Sequence, residues 1–205
     1  MVYDWFQVDL EDLGKLHNDL EKQMLNFDEV VPYERQRTAQ IYSPRLLNMM
    51  LVCGAQVEAV TRLISRNCNF VENGGIPPLI RQLNHNAVLA NFKIISIPHN
   101  LQFTPFTRDL EWWDAYNELK HELKEKQFKI TYTTVMDAFA ALAALHCLAQ
   151  QLRGVFEQDI AKVLDRKNWI NDESMIKFSL YQDTGLSLNL WRSLLFEIRT
   201  IYRPY

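Results

Sequence analysis

Apolar side chains cover most of the circumference of one long predicted helix, residues 45–66. A helix with a single apolar stripe lies at a surface, whereas a helix that is apolar nearly all round must be surrounded by other elements. Ser43 and Pro44 mark where it begins, because serine is a favoured N-cap and proline is favoured at the first helical position. The segment therefore predicts a helical bundle with this helix near its middle.

Three further segments repeat apolar residues every three or four positions, which is the period of a helix. They are residues 8–27, 108–126 and 131–153. In the first, either Leu16 or His17 falls on the apolar stripe, and the last is rich in alanine, which allows close helix contact. We therefore expect a mainly α fold, a bundle of four to five helices.

Alternating side chains indicate a small β component. Residues 92–98 have strand-like composition, and residues 176–180 and 186–190 alternate with period two around a turn sequence. Residues 191–202 fit a strand or a helix equally well. We expect residues 169–205 to form a C-terminal appendage carrying a β-hairpin or strand, with its aromatic side chains covering the bundle.

Length and charge limit the classes of function. The 205 residues suit one sizeable core without linker composition, so residues 1–205 are predicted to form a single domain. The 22 basic and 25 acidic residues give a net charge of -3, which excludes a global basic field for nucleic acid or anionic membranes. A nucleic-acid site would have to be local.

The sequence also bears on location and redox state. The acidic N-terminus lacks the basic and apolar regions of a secretory signal, and the apolar run 135–149 contains Asp137 and His146 and is too short to span a bilayer. The three cysteines form no paired motif, so reduced thiols are expected. We predict a cytoplasmic protein without membrane contact.

Motifs for metals and cofactors are missing from the sequence. It contains no HExxH, no CxxC pair and no carboxylate-rich loop with ligand spacing. It also lacks a glycine-rich phosphate loop with its lysine. No metal and no cofactor are expected.

Reactive polar side chains concentrate on one stripe of the predicted helix 108–126. The stripe consists of Trp113, Asn117, Lys120, His121 and Lys124, and a separate apolar stripe consists of Trp112, Tyr116, Leu119 and Leu123. Histidine exchanges protons near neutral pH, an asparagine one turn before it can hold a phosphate, and lysines can stabilise developing negative charge without a metal. The alternative is an ordinary exposed polar face.

Glu58 and Arg62 stand out as charges one turn apart on an otherwise apolar helix. Glu58 could orient His121 across a helix pair, or Glu58 and Arg62 could form a structural ion pair at a partly exposed edge. Two other features have plainer interpretations. Arg81 and His85 are expected to lie at the surface, where they could also supply a phosphate contact, and His146 is expected to be a core histidine.

The sequence from Trp112 to His121 (Trp-Trp-x-Ala-Tyr-Asn-x-x-Lys-His) before an alanine- and leucine-rich helix resembles the HEPN superfamily. The Ser43-Pro44 start and the Glu58-bearing helix upstream add to the likeness, which covers about half of the chain. Members are small helical-bundle proteins of prokaryotic defence, toxin-antitoxin and RNA-processing systems. The resemblance implies a homodimer whose subunits jointly form a metal-independent ribonuclease site.

Active members pair an arginine with a histidine a few residues later. Asn117 and His121 match the polar residue and the histidine, but Ala115 and Tyr116 stand where the arginine would fall, and Arg108 lies too far upstream. The resemblance leaves two functions open. One is an RNase in which His121 is the general acid-base, Asn117 orients phosphate and Lys120 stabilises charge, with Arg62 or Lys124 as further cations. The other is a noncatalytic module that binds a partner protein or a nucleotide, with Trp113 as an apolar anchor.

Overall fold

Helices dominate the computed structural model, which describes residues 2–67, 75–85, 89, 92–106, 110–122, 127–158 and 195–200. Six helices lie in these ranges. They are α1 (Val2–Asp28), α2 (Arg35–Thr38), α3 (Pro44–Asn67), α4 (Ile76–His85), α5 (Glu111–His121) and α6 (Tyr132–Gln158). The mainly α prediction is confirmed.

Helix α6 lies at the centre of the bundle. It packs against α1, α3 and α5, and every residue from Ala138 to Ala149 is buried. Its run of alanines permits this, because small side chains let neighbouring helices approach on all sides. Helix α3 packs on both α1 and α6, and its buried side chains include Leu46, Met50 and Val57. The predicted position of α3 inside a bundle agrees with this packing.

Local signals at the helix starts behave as predicted. Helix α3 begins at Pro44, and Ser43 Oγ accepts a hydrogen bond from Leu46 N at 3.2 Å, as an N-cap does. Thr131 Oγ1 accepts one from Thr134 N at 3.3 Å at the start of α6. On α1, His17 is buried and Leu16 is 52% exposed, so His17 is the residue that belongs to the apolar stripe of this helix.

A three-stranded antiparallel sheet covers one part of the bundle. Its strands are β1 (Phe92–Ser96), β2 (Gln102–Phe103) and β3 (Phe196–Thr200), in the order β2-β1-β3. The register pairs Ile94 with Phe103 on one side and with Ile198 on the other. The strand predicted within 92–98 is confirmed, and residues 196–200 are a strand rather than a helix.

Where it is described, the C-terminal segment packs on the bundle. Phe196 packs against Phe103 and Phe139, with ring centroids 5.6 and 5.8 Å away, and Leu195 N donates to the buried Glu21 carboxylate at 2.9 Å. Strand β3 is therefore part of the core. The hairpin predicted at 176–180 and 186–190 lies outside the described residues, and the hairpin that is observed joins β1 and β2.

Two helices are long and apolar enough to cross a membrane by length and composition alone. They are Pro44–Ser65 and Tyr132–Ala149, of which 50% and 83% of the apolar window is buried in the protein. The prediction that the 135–149 run is too short is thus wrong on length, because helix α6 extends the window back to Tyr132. Core helices of soluble proteins pass the same test, so location remains a prediction.

The cysteines that the structure describes are core residues. Cys53 and Cys147 are buried, and burial raises the pKa of both thiols, that of Cys147 to about 12. They pack as small hydrophobes. Cys68 lies outside the described residues.

Candidate functional site

Helix α5 presents its apolar residues to the bundle along a wider arc than the sequence pattern indicated. Trp112, Trp113, Tyr116 and Leu119 are all buried, with Trp112 and Trp113 each 3% exposed. Trp112 Nε1 donates to Pro105 O at 2.7 Å, and the Trp113 ring lies 5.2 Å from that of Tyr116. The placement of Trp113 on the exposed polar stripe is therefore wrong, and so is its role as a surface anchor.

The polar side chains lie at the C-terminal end of α5. Asn117 is half-buried, whereas Lys120 and His121 are exposed in the last turn, where the helix dipole favours positive charge. Helical spacing puts Lys120 and His121 one turn beyond Asn117, with neighbouring Cβ atoms about 5–6 Å apart. The predicted stripe is present for these three residues.

Helix α5 ends before it reaches Lys124, the last residue of the predicted polar stripe. Glu122 has φ -133° and ψ 52°, which is not helical, and its amide caps the helix by donating to Glu118 O. The predicted continuation to residue 126 is therefore wrong at Glu122. Lys124 lies outside the described residues, as does Arg108.

Glu58 receives two donors from α5. Its Oε1 accepts a hydrogen bond from Tyr116 Oη at 3.1 Å and from Lys120 Nζ at 3.0 Å. Lys120 Nζ also lies 5.7 Å from the centroid of the Tyr116 ring. Glu58 is 23% exposed and Lys120 46% exposed, so the ion pair bridges α3 and α5 at the surface edge of their contact.

These contacts correct both interpretations of Glu58. Among the residues that the structure describes, the ion-pair partner of Glu58 is Lys120 and not Arg62, and its hydrogen bonds go to Tyr116 and Lys120 rather than to His121. Arg62 is half-buried one turn further along α3. Glu58 positions Lys120 and leaves His121 open to solvent.

Gly54 makes this arrangement possible. A Cβ atom at Gly54 would clash with the Tyr116 ring. The ring therefore packs directly against the backbone of α3, in the space that a side chain at position 54 would occupy. Burial raises the pKa of the Tyr116 phenol to about 12, helped by the Glu58 charge, so the hydroxyl stays a donor. A glycine within an apolar helix is the sequence signal for such a close contact, and Gly54 was not among the predicted site residues.

A second polar cluster, which the sequence analysis missed, lies between α1, the β1–β2 turn and α6. Asp28 Oδ1 accepts hydrogen bonds from Tyr132 Oη at 2.8 Å and Tyr33 N at 2.9 Å, and His99 Nε2 lies 3.0 Å away. His99 and Asp28 are only 15% and 14% exposed. The cluster joins three segments distant in the sequence, which no local pattern could reveal.

Arg35 and Asp137 form a neighbouring pair. The closest guanidinium nitrogen of Arg35 lies 3.4 Å from both carboxylate oxygens of Asp137. Burial raises the pKa of Asp137 to about 6, against the opposing effect of Arg35. The contact is long for an ion pair and partly open to solvent, so we do not assign a catalytic role to these two residues.

The other predicted histidines and Arg81 lie away from α5. His146 is fully buried as expected, with its ring 4.8 Å from that of His17, and burial lowers its pKa to about 4. Burial also holds the pKa of His17 well below its usual value. Arg81 is exposed, as predicted, whereas the side chain of His85 lies outside the described residues.

Comparison with known proteins adds nothing to this geometry, because no family model, no curated protein and no solved structure matches the chain. Within the described residues, no group of three or more histidine, cysteine or carboxylate side chains is placed to hold a metal ion. The α5 site is therefore described by its own chemistry: an exposed imidazole, a half-buried amide and a lysine held by a carboxylate.

Proposed function

We propose that this chain is a HEPN-like protein of a prokaryotic defence, toxin-antitoxin or stress system that cleaves RNA at His121 without a metal. The observation that carries the proposal is the exposure of His121 beside Lys120 and Asn117 at the end of α5. An imidazole that exchanges protons with a substrate must be reachable from solvent. The resemblance of residues 112–121 to the HEPN superfamily supplies the class of substrate.

The proposed reaction uses the 2′-hydroxyl that distinguishes RNA from DNA. His121 takes the 2′-hydroxyl proton, the 2′-oxygen bonds to phosphorus, and the bond from phosphorus to the 5′-oxygen breaks, with a solvent proton going to the leaving oxygen. Asn117 donates to the phosphate and Lys120 stabilises the charge that develops on it. The product strand ends in a cyclic phosphate.

We further propose that the protein is a cytoplasmic homodimer, as the resemblance implies. Arg62, one turn beyond Glu58 on α3, is proposed as a further positive charge near the site. Light scattering coupled to size-exclusion chromatography tests the dimer. An Arg62→Ala variant that cleaves as fast as the wild type would remove Arg62 from the site.

The experiment that tests the proposal is RNA cleavage in EDTA by the wild-type protein, His121→Ala and Asp114→Ala, purified identically. Asp114 is exposed on the same helix, two turns before His121 and outside the proposed catalytic residues, so its variant is the matched control. We expect cleavage by the wild type and the control and its loss in His121→Ala. Equal cleavage by all three would indicate a contaminating nuclease and would contradict the proposal, as would no cleavage at all.

The ion pair between Glu58 and Lys120 favours a second candidate function, a noncatalytic module that binds a partner protein or a nucleotide. Glu58 offsets the charge of the lysine that the ribonuclease mechanism needs, which favours binding without turnover. This candidate predicts ligand binding or assembly without turnover. Saturable nucleotide binding that Lys120→Ala abolishes, with no RNA cleavage, would support it.

A further inference from the structure

Two large aromatic side chains lie exposed and in contact at the N-terminal end of α6. Phe128 is 62% exposed and Tyr42 48% exposed, and their ring centroids are 5.2 Å apart at an interplanar angle of 66°. Large apolar side chains exposed together, rather than singly, mark interaction sites. Because the rings meet edge to face, at least one ring face remains open to a ligand.

Backbone contacts fix this pair to the rest of the bundle. Tyr132 N donates to Ile41 O at 2.8 Å, which holds the segment carrying Tyr42 against the start of α6. Phe128 lies in a short 3-10 helix, Gln127–Lys129, immediately before it. The two rings therefore sit on a defined surface formed by two segments.

The same surface continues to the end of α5. Lys129, next to Phe128, places its Nζ 2.6 and 2.8 Å from the two carboxylate oxygens of Glu118. Glu118 lies three residues before His121 on α5, and residues at that spacing are neighbours on a helix surface. One ion pair and one helical turn thus connect the aromatic pair to the proposed catalytic histidine.

Lysines on this surface can contact the phosphates of a ligand. The two that the structure describes, Lys120 and Lys129, are each held at the surface by a carboxylate, that of Glu58 and that of Glu118. Exposed aromatic rings beside lysines are the features with which proteins hold unpaired nucleic-acid strands, because each base can stack on a ring while cations contact the backbone.

We propose that Tyr42 and Phe128 form a stacking platform for an unpaired base of single-stranded RNA, whose backbone passes from Lys129 towards His121. The inference rests on the proposed function, because it supplies that site with its class of substrate, an unpaired strand. An A-form duplex keeps its bases stacked and out of reach, so it is not a ligand of the platform.

The test measures RNA binding separately from cleavage. All variants carry His121→Ala, and fluorescence anisotropy follows binding of a labelled single strand of about 10 nucleotides and of the same sequence as a duplex. Phe128→Ala, Phe128→Leu and Tyr42→Ala are compared with Phe128→Tyr, which keeps an aromatic face. Leu16→Ala, which removes an exposed apolar side chain on α1, is the matched control.

We expect Phe128→Ala and Phe128→Leu to weaken single-strand binding about tenfold or more, and Phe128→Tyr and Leu16→Ala to leave it unchanged. Duplex binding should be weaker throughout. In the protein with His121 intact, Phe128→Ala should raise KM and leave kcat unchanged, because the ring holds substrate away from the reacting phosphate.

The outcomes separate the two proposals. RNA cleavage that depends on His121, with KM indifferent to Phe128 and Tyr42, would overturn the platform alone. Single-strand binding that depends on the two rings, without cleavage, would retain the platform and overturn the ribonuclease. A change of oligomeric state in Phe128→Ala, with RNA binding unchanged, would show a protein interface instead and would also overturn the platform.

Discussion

Asp28 at the end of α1 accepts a 2.8 Å hydrogen bond from the hydroxyl of Tyr132 at the start of α6, 104 residues away in the chain. The same oxygen accepts from Tyr33 N, and His99 of the β1–β2 turn lies 3.0 Å from it. One carboxylate oxygen therefore ties a helix end, a loop, a hairpin turn and the central helix together.

Removing this carboxylate should destabilise the fold. Asp28→Ala removes the acceptor of Tyr132 Oη, Tyr33 N and His99 Nε2 at a site with little access to water. We expect it to lower the unfolding free energy by about 2–4 kcal/mol. Asp28→Asn keeps an acceptor oxygen and should cost less. Urea unfolding at neutral pH measures both. Asp19→Ala, which removes an exposed carboxylate paired only at 3.5 Å, should leave the midpoint in place. Equal midpoints for Asp28→Ala and Asp19→Ala would contradict the role of Asp28.

The part of the fold that local patterns determine was predictable, and the part that depends on long-range contacts was not. Ser43 predicted the start of α3 correctly, because an N-cap and the amide that it accepts from lie within four residues of each other. Asp28 and His99 are brought together by packing across 71 residues, for which a single sequence contains no local signal. Strand β3 was ambiguous for the same reason, since its partner is β1.

The candidate site divides in the same way. Asn117, Lys120 and His121 share a stripe because helical spacing requires it, and the structure keeps them together. Trp113 was misplaced because α5 buries a wider arc than one stripe, in contact with Trp112 and Tyr116. The partner of Glu58 depended on where α3 meets α5, and Gly54 decides that distance.

Gly54→Ala should separate α3 from α5. The new methyl group would meet the Tyr116 ring, and overpacking of this kind costs about 1–3 kcal/mol. Tyr116 would also lose its hydrogen bond to Glu58. Gly14→Ala is the matched control, because nothing lies within 4 Å of its added Cβ on α1, and it should stabilise the protein by up to about 1 kcal/mol. Thermal unfolding distinguishes the two. A stabilised Gly54→Ala protein would contradict the close contact.

His146 should make the protein less stable in mild acid. Its pKa falls from 6.5 to about 4 in the folded state, so only the unfolded chain binds the proton between those values. The unfolding free energy is therefore highest above pH 6.5 and falls by up to roughly 3 kcal/mol as the pH approaches 4. The neighbouring His17, whose pKa is also lowered, acts in the same direction.

The measurement is the difference in unfolding free energy between the wild type and His146→Leu across this range of pH. The wild type should lose its advantage, or gain a disadvantage, as the pH falls, because leucine cannot bind a proton. A difference that stays constant with pH would show that His146 is not held neutral by burial.

Asp137 should show the opposite dependence. Its pKa rises from 3.8 to about 6 on folding, so the folded state is penalised above pH 6, where the half-buried carboxylate is ionised, and relieved as the pH falls towards 3.8. Asp137→Asn should therefore be more stable than the wild type by on the order of 1 kcal/mol above pH 6, an advantage that disappears near pH 4. Urea midpoints at several pH values test this. A variant less stable than the wild type at every pH would mean that the contact with Arg35 outweighs the burial of the charge.

The most direct test of the proposed ribonuclease activity is single-turnover cleavage in EDTA of one labelled RNA and of the same strand with 2′-deoxy sugars, by the wild type and by His121→Ala. We expect that only the wild type cleaves and that only the RNA is cut, leaving a cyclic phosphate, because His121 activates the 2′-hydroxyl. An intact RNA, or the same products from His121→Ala, would contradict it.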